Sequence, residues 1–169
     1  MMTKKYELLP SEIKGFFRIR ALCDFSDISA GTVGGLVESE NNLSQLGNAW
    51  IYDDAQVSGN AQVSGDARVS DSAIVCEDAH VYNTAWIANN AQVSGNAQVS
   101  GGAHVIDDAQ ICSNAQVFGK AQVGGNTCLF DDAQVYGNAQ VFNVNVFGGA
   151  QLYGDTKLFG LRMLFLENQ

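Results

Sequence analysis

Ala61-Gln62-Val63-Ser64-Gly65-Asp66 is the stretch whose reading decides the fold. The pattern is a small residue, any residue, an aliphatic residue, any residue, then two corner residues. It recurs nineteen times between Ala49 and Leu161. The third position is always Val, Ile or Leu, from Ile51 and Val57 to Leu152 and Leu158. The first position is Ala except at Thr127, Val144 and Thr156. Residues two apart on a strand face the same side, so the small and aliphatic residues point inward together. Positions two and four point outward. An amphipathic helix does not fit, because the apolar spacing is two then four without drift.

Positions five and six are mostly Gly, Asn and Asp, as in Gly59-Asn60 and Asp107-Asp108. These residues accept the left-handed backbone angles of a sharp corner. Each hexad is therefore one short strand and one corner. Three hexads close a triangle, so the pattern predicts a parallel β-helix with about eighteen residues per coil. Nineteen hexads give about six triangular coils, roughly 30 Å tall at the ~4.8 Å spacing of strands. The period slips once. Five residues separate Ala139 from the next unit, so Val144-Asn145-Val146 takes over the inward positions and the corner near Asn143 is one residue short.

The expected organisation is a β-hairpin cap and lead-in over 1–42, the hexapeptide solenoid over 43–161, and an apolar tail over 162–169. Open strand edges at both ends of a β-helix need covering. Tyr6-Glu7-Leu8-Leu9 and Phe16 to Leu22 read as two strands around a polar turn. Leu161 to Leu166 breaks the repeat and either closes the last coil or joins a neighbouring chain.

Charge narrows the partners. The chain of 169 residues carries a net charge of −9. Residues 1–20 hold five bases against two acids, whereas residues 49–161 hold eleven acids against Arg68, Lys120 and Lys157. Such a shaft repels nucleic acid and anionic membrane, so neither is expected as a direct partner. Cys23, Cys76, Cys112 and Cys128 follow no metal-site spacing and no disulfide framework. No secretory signal opens the sequence, and the apolar stretch Leu158–Leu166 contains Gly160 and Arg162. The expectation is a cytoplasmic protein with free thiols.

The segment before the repeats adds a resemblance. It reads Phe17-Arg18-Ile19-Arg20-Ala21-Leu22, then Asp24-Phe25-Ser26-Asp27, Ala30-Gly31-Thr32-Val33-Gly34-Gly35, Leu43-Ser44 and Asn48-Ala49-Trp50-Ile51-Tyr52. Together with the hexads it resembles the YdcK-like hexapeptide-repeat proteins of bacteria and their phages and prophages. That resemblance implies a left-handed coil, a fold shared with hexapeptide acyltransferases, and a phage or prophage origin. The fold class is then all-β, a left-handed parallel β-helix. The resemblance brings no catalytic residue with it.

Outward positions fall into columns every third hexad. Trp50, Arg68, Trp86 and His104 share one column. Arg between two Trp at strand spacing can stack by cation–π contact, which makes these four the candidate binding surface. Gln62, His80, Gln98, Gln116, Gln134 and Gln151 form another column, expected to bond amide to amide between coils. The fourth hexad position changes from Ser early in the chain to Phe118, Phe130, Tyr136, Phe142, Phe147, Tyr153 and Phe159. Exposed aromatics in rows mark an interface, and these seven are the candidates for a dimer or trimer contact. Asp53, Asp71, Asn89 and Asp107 stack on one corner, where turn chemistry is the expected role and calcium the alternative.

Neither His80 nor His104 lies on an inserted loop, and no nucleophile–base pair stands out. The reading assigns no catalytic residue, no metal and no cofactor. It favours a non-enzymatic structural or binding protein that acts through its β-helix surface, by self-association or by contact with a protein partner. An acyl-coenzyme A dependent acyltransferase with a site between subunits is one alternative. The other is a phage-encoded inhibitor of a host defence or nucleic-acid enzyme. Close DNA mimicry does not fit, because the shaft carries roughly one net charge per 4 Å against one per ~1.7 Å in duplex DNA.

Overall fold

The computed structural model describes residues 4–166, with side chains from 4 to 160. It is an all-β parallel solenoid of about seven turns. Three strands precede the repeat: β1 (Tyr6–Pro10), β2 (Phe17–Ala21) and β3 (Val33–Val37). β1 pairs antiparallel with β2, and β2 antiparallel with β3. β3 then pairs parallel with Gln56–Val57, so it is already the first rung of a face. Leu43 bridges to Val63 in the same way. The lead-in thus supplies a turn that the hexads alone do not, which takes the stack to about seven.

Each hexad contributes two ladder residues. The first face stacks Leu36–Val37, Gln56–Val57, Ile74–Val75, Gln92–Val93, Gln110–Ile111, Cys128–Leu129 and Asn145–Val146. The second rises from Trp50–Ile51 through Arg68–Val69 and Trp86–Ile87 to Lys157–Leu158. The third begins at Leu43 and rises from Gln62–Val63 to Gln151–Leu152. Inward Ala and Val are sealed: Ala97, Val99, Ala115 and Val117 are all 0% exposed. Each buried Val contributes about 1.5 kcal/mol of hydrophobic stabilisation.

Corners stack as closely as strands. Gln98 N donates to Ala115 O at 3.0 Å, Ser100 N to Val117 O at 2.9 Å, and Gly102 N to Gly119 O at 2.7 Å. Amides on sides and corners alike are satisfied by the next turn, as buried backbone requires.

The slip is resolved by one long strand, Gln140–Gly148, which runs around the short corner at Asn143 (φ 58°) and joins the first and second faces. Thr127, in a place usually held by Ala, lies beneath it. Its hydroxyl donates to Gly124 O at 2.7 Å and accepts from Val144 N at 3.4 Å, replacing a partner that the shortened corner removes. Lys157–Leu166 then lies parallel on Gln140–Gly148 across both faces. Residues 162–166 of the expected tail therefore form the strand of a further rung, and 167–169 lie outside the described residues. No helix among the described residues is long and apolar enough to cross a membrane.

Candidate functional site

The second-face column is built differently from its sequence reading. Trp50 is not part of an exposed surface: it is 0% exposed. The cap folds over it, and its ring meets Tyr6 edge-on at 6.3 Å and Phe25 at 5.4 Å. An outward hexad position is exposed only where no other segment covers it, and the lead-in covers this one. Arg68 consequently does not lie between two Trp rings. Its guanidinium sits 5.9 Å from the centre of the Tyr52 ring and pairs with Asp27 at 3.2 Å.

Tyr52 Oη also donates to Asp27 Oδ1 at 3.2 Å, so Asp27 latches the cap loop to the shaft. Burial pushes the Asp27 carboxyl up, but hydrogen bonds from its own amide and Ser26, followed by the Arg68 charge and Tyr52, hold it below its ordinary value. Trp86 is 41% exposed, donates from Nε1 to Ser70 Oγ at 3.1 Å, and meets His104 edge-on at 5.5 Å. Tyr52, Asp53, Arg68, Ser70, Asp71 and Trp86 line a shallow hollow. Three of the four candidates, Arg68, Trp86 and His104, therefore share an accessible surface.

The aromatic positions form stacks on all three faces. Phe118 and Tyr136 lie 4.7 Å apart and 2° from parallel, and Tyr136 and Tyr153 lie 5.4 Å apart at 15°. Phe142 stacks on Phe159 at 5.6 Å, and Phe130 on Phe147 at 5.0 Å. Tyr153 and Phe159, at the upper ends of their stacks, are 58% and 59% exposed. Phe147 is corrected as an interface residue: it is 6% exposed, because the slipped strand that carries it is covered by the rung of Lys157–Leu166.

The corner acids are engaged by their own fold. Asp71 Oδ2 accepts from Asn89 N at 2.9 Å, and Asp107 Oδ2 from Gly125 N at 2.8 Å. At the second position of the same corner Asn90 donates to Asp108, and one corner over Asn114 donates to Asp132, both at 3.0 Å. Asp53, Asp71, Asn89 and Asp107 all have φ between 52° and 61°, the left-handed region. These carboxylates hold turns together. Among the described residues no group of three or more His, Cys, Asp or Glu is placed to hold a metal ion. The expected Gln ladder does not bond to itself among the described residues. Gln151 Oε1 instead accepts from Tyr136 Oη at 3.4 Å.

The cap holds residues that the sequence reading passed over. Lys5 is 5% exposed and donates from Nζ to Gly47 O at 3.2 Å and Ala49 O at 3.0 Å, 5.2 Å from the Phe25 ring centre. Tyr6 Oη donates to Leu43 O at 2.6 Å. These contacts seal the first turn, and no local motif announces them. Gly34 and Gly35 did stand in the quoted pattern. A Cβ on Gly35 would lie 2.4 Å from Ile51 Cγ2 and 2.6 Å from Ala55 O, so β3 reaches its rung only without a side chain there.

Comparison with known proteins agrees with this architecture. A family model described as the YdcK β-solenoid repeat matches residues 61–77 and 91–106. The chain is also 46% identical over 41 residues to a protein of Escherichia coli (strain K12) named uncharacterized acetyltransferase YdcK. That match covers 24% of this chain and 13% of the relative. The chain thus carries repeats of the YdcK β-solenoid type.

Proposed function

We propose that the chain is a non-enzymatic structural or binding protein of the cytoplasm that works through the outer surface of its solenoid and through self-association. The observation that supports this reading is the pair of open aromatic stacks, Phe118–Tyr136–Tyr153 and Phe142–Phe159, on the upper turns. Rings stacked flat along a shaft leave their edges to solvent, and a second copy laid against them buries that area. The assembly is a dimer or trimer. The Arg68–Trp86–His104 surface lies lower on the shaft and stays free for another partner. The reading does not depend on the phage or prophage origin that the resemblance implies. Light scattering of the full chain tests it. Wild type is expected to exceed the monomer mass, and Phe118→Ser/Tyr136→Ser to return to it. A monomeric wild type overturns the self-association.

A second reading, acyl transfer from an acyl-coenzyme A at a subunit interface, is favoured by the name of the E. coli relative. Its candidate bases are His80, exposed on the third face, and His104, edge-on to Trp86. Calorimetric titration with coenzyme A separates the two readings: saturable binding, lost in His80→Ala or His104→Ala, replaces the first with the second. The inhibitor alternative has the acidic shaft as its support and nothing more specific.

A further inference from the structure

The aromatic stack of the third face skips one rung. Tyr82, Ser100, Phe118, Tyr136 and Tyr153 occupy the same outward position on consecutive turns. The upper three are stacked 4.7 and 5.4 Å apart. Below them Ser100, 9% exposed, forms the floor of a hollow of about 220 Å³ walled by Tyr82, Gln98, Gln116 and Phe118. Two rungs separate Tyr82 from Phe118, about 9.6 Å at the strand spacing. A single flat ring inserted midway stands ~4.8 Å from each wall, which is the spacing the stack already uses. The Gln98 and Gln116 amides beside the gap offer a donor and an acceptor to an indole N–H or a phenol.

Two observations identify what brings the ring. First, the gap is open to solvent and one ring deep, whereas sites for free small molecules enclose most of the ligand. A ring held here needs neighbouring contacts, which a polypeptide supplies. Second, acidic corners lead into this face one turn below and two turns above the rung of Ser100, Glu77-Asp78 before His80 and Asp131-Asp132 before Gln134, while Lys120 stands on the opposite corner, just after Phe118. A segment lying across the gap is favoured when it carries positive charge. We infer that the gap between Tyr82 and Phe118 receives one Trp or Tyr side chain of a basic protein segment, flanked by Lys or Arg. The site does not require self-association.

The test is an NMR titration of the isotopically labelled full chain with the tripeptides Lys-Trp-Lys, Lys-Ala-Lys and Glu-Trp-Glu, and with free indole. Lys-Trp-Lys is expected to shift the Gln98, Ser100 and Gln116 amides and the Phe118 ring, and to bind about fivefold or more tighter than the other three. Its binding is expected to weaken as salt rises from about 50 to 300 mM. Ser100→Tyr fills the rung and is expected to abolish these shifts. Tyr82→Ser removes one wall and is expected to do the same, which keeps the test valid if the first variant misfolds. Equal binding of Lys-Ala-Lys reduces the effect to charge and overturns the proposal. Equal binding of indole makes the gap a small-ligand site and also overturns it, as does an undiminished response in either folded variant. None of these outcomes alters the light-scattering result, so the two readings fail separately.

Discussion

Trp50 and Trp86 occupy the same hexad position two turns apart, yet one is sealed at 0% exposure and the other is 41% exposed. Their difference is a direct measure of what the cap contributes. Trp50→Ala removes a buried ring from between Tyr6 and Phe25 and is expected to cost about 3–5 kcal/mol. Trp86→Ala removes a ring that touches His104 and Ser70 at the surface, and is expected to cost about 0.5 kcal/mol. Denaturant unfolding of the two variants checks the contrast, and equal losses would sink it. The inward residues were legible because a period of six with apolar positions two apart admits one strand face and no helix. The fate of Trp50 and Phe147 was not, because burial of an outward residue is decided by a segment elsewhere in the chain. The Ser100 gap was within reach: Tyr82 and Phe118 stand thirty-six residues, or two turns, apart in the sequence.

The corners and the cap are the elements on which the shaft depends. Corner chemistry was legible as Gly, Asn and Asp, but the way corner carboxylates accept amides from the turn above, as Asp71 does, or the turn below, as Asp108 does, needed the stacking geometry. The cap was legible as a hairpin, while its anchoring cation was not, since Lys5 meets Gly47 and Ala49 across more than forty residues. Burial, partly opposed by the charges of Cys23 and Asp66, lowers Lys5 from 10.5 to about 8. Below about pH 8 the amine is protonated in both folded and unfolded chains, and the fold bears the cost of burying that charge. Between 8 and 10.5 the unfolded chain holds more protons, so stability rises with pH across this window and then levels off. Tyr6 acts oppositely above pH 10, because burial raises its phenol and the folded chain keeps the proton longer. The clean window is pH 8 to 9, because burial also raises the Cys76 and Cys112 thiols above 9.0 and they oppose Lys5 beyond it. Thermal unfolding of wild type and Lys5→Met is expected to show wild type gaining on the variant as pH rises through it. A constant difference would remove Lys5 as the titrating group.

As a whole molecule the protein is a one-dimensional stack, in which each turn is stabilised by its two neighbours and the ends need covers. The same geometry spreads charge along a rod. Eleven acids and three bases between residues 49 and 161 make two copies repel, while the aromatic stacks on their upper turns attract. Salt separates these forces. The Debye length falls from about 30 Å at 0.01 M to about 8 Å at 0.15 M, which screens repulsion between shafts and leaves ring contacts nearly untouched. Self-association is therefore expected to tighten as salt rises, opposite in sign to the binding of a basic peptide in the Ser100 gap. Sedimentation velocity across that range reads the assembly directly. A larger assembled fraction at high salt, lost in Phe118→Ser/Tyr136→Ser, places attraction in the aromatic stacks. Dissociation at high salt would mean that the basic residues 1–20 of one copy meet the acidic shaft of another, and the interface would then lie at the cap.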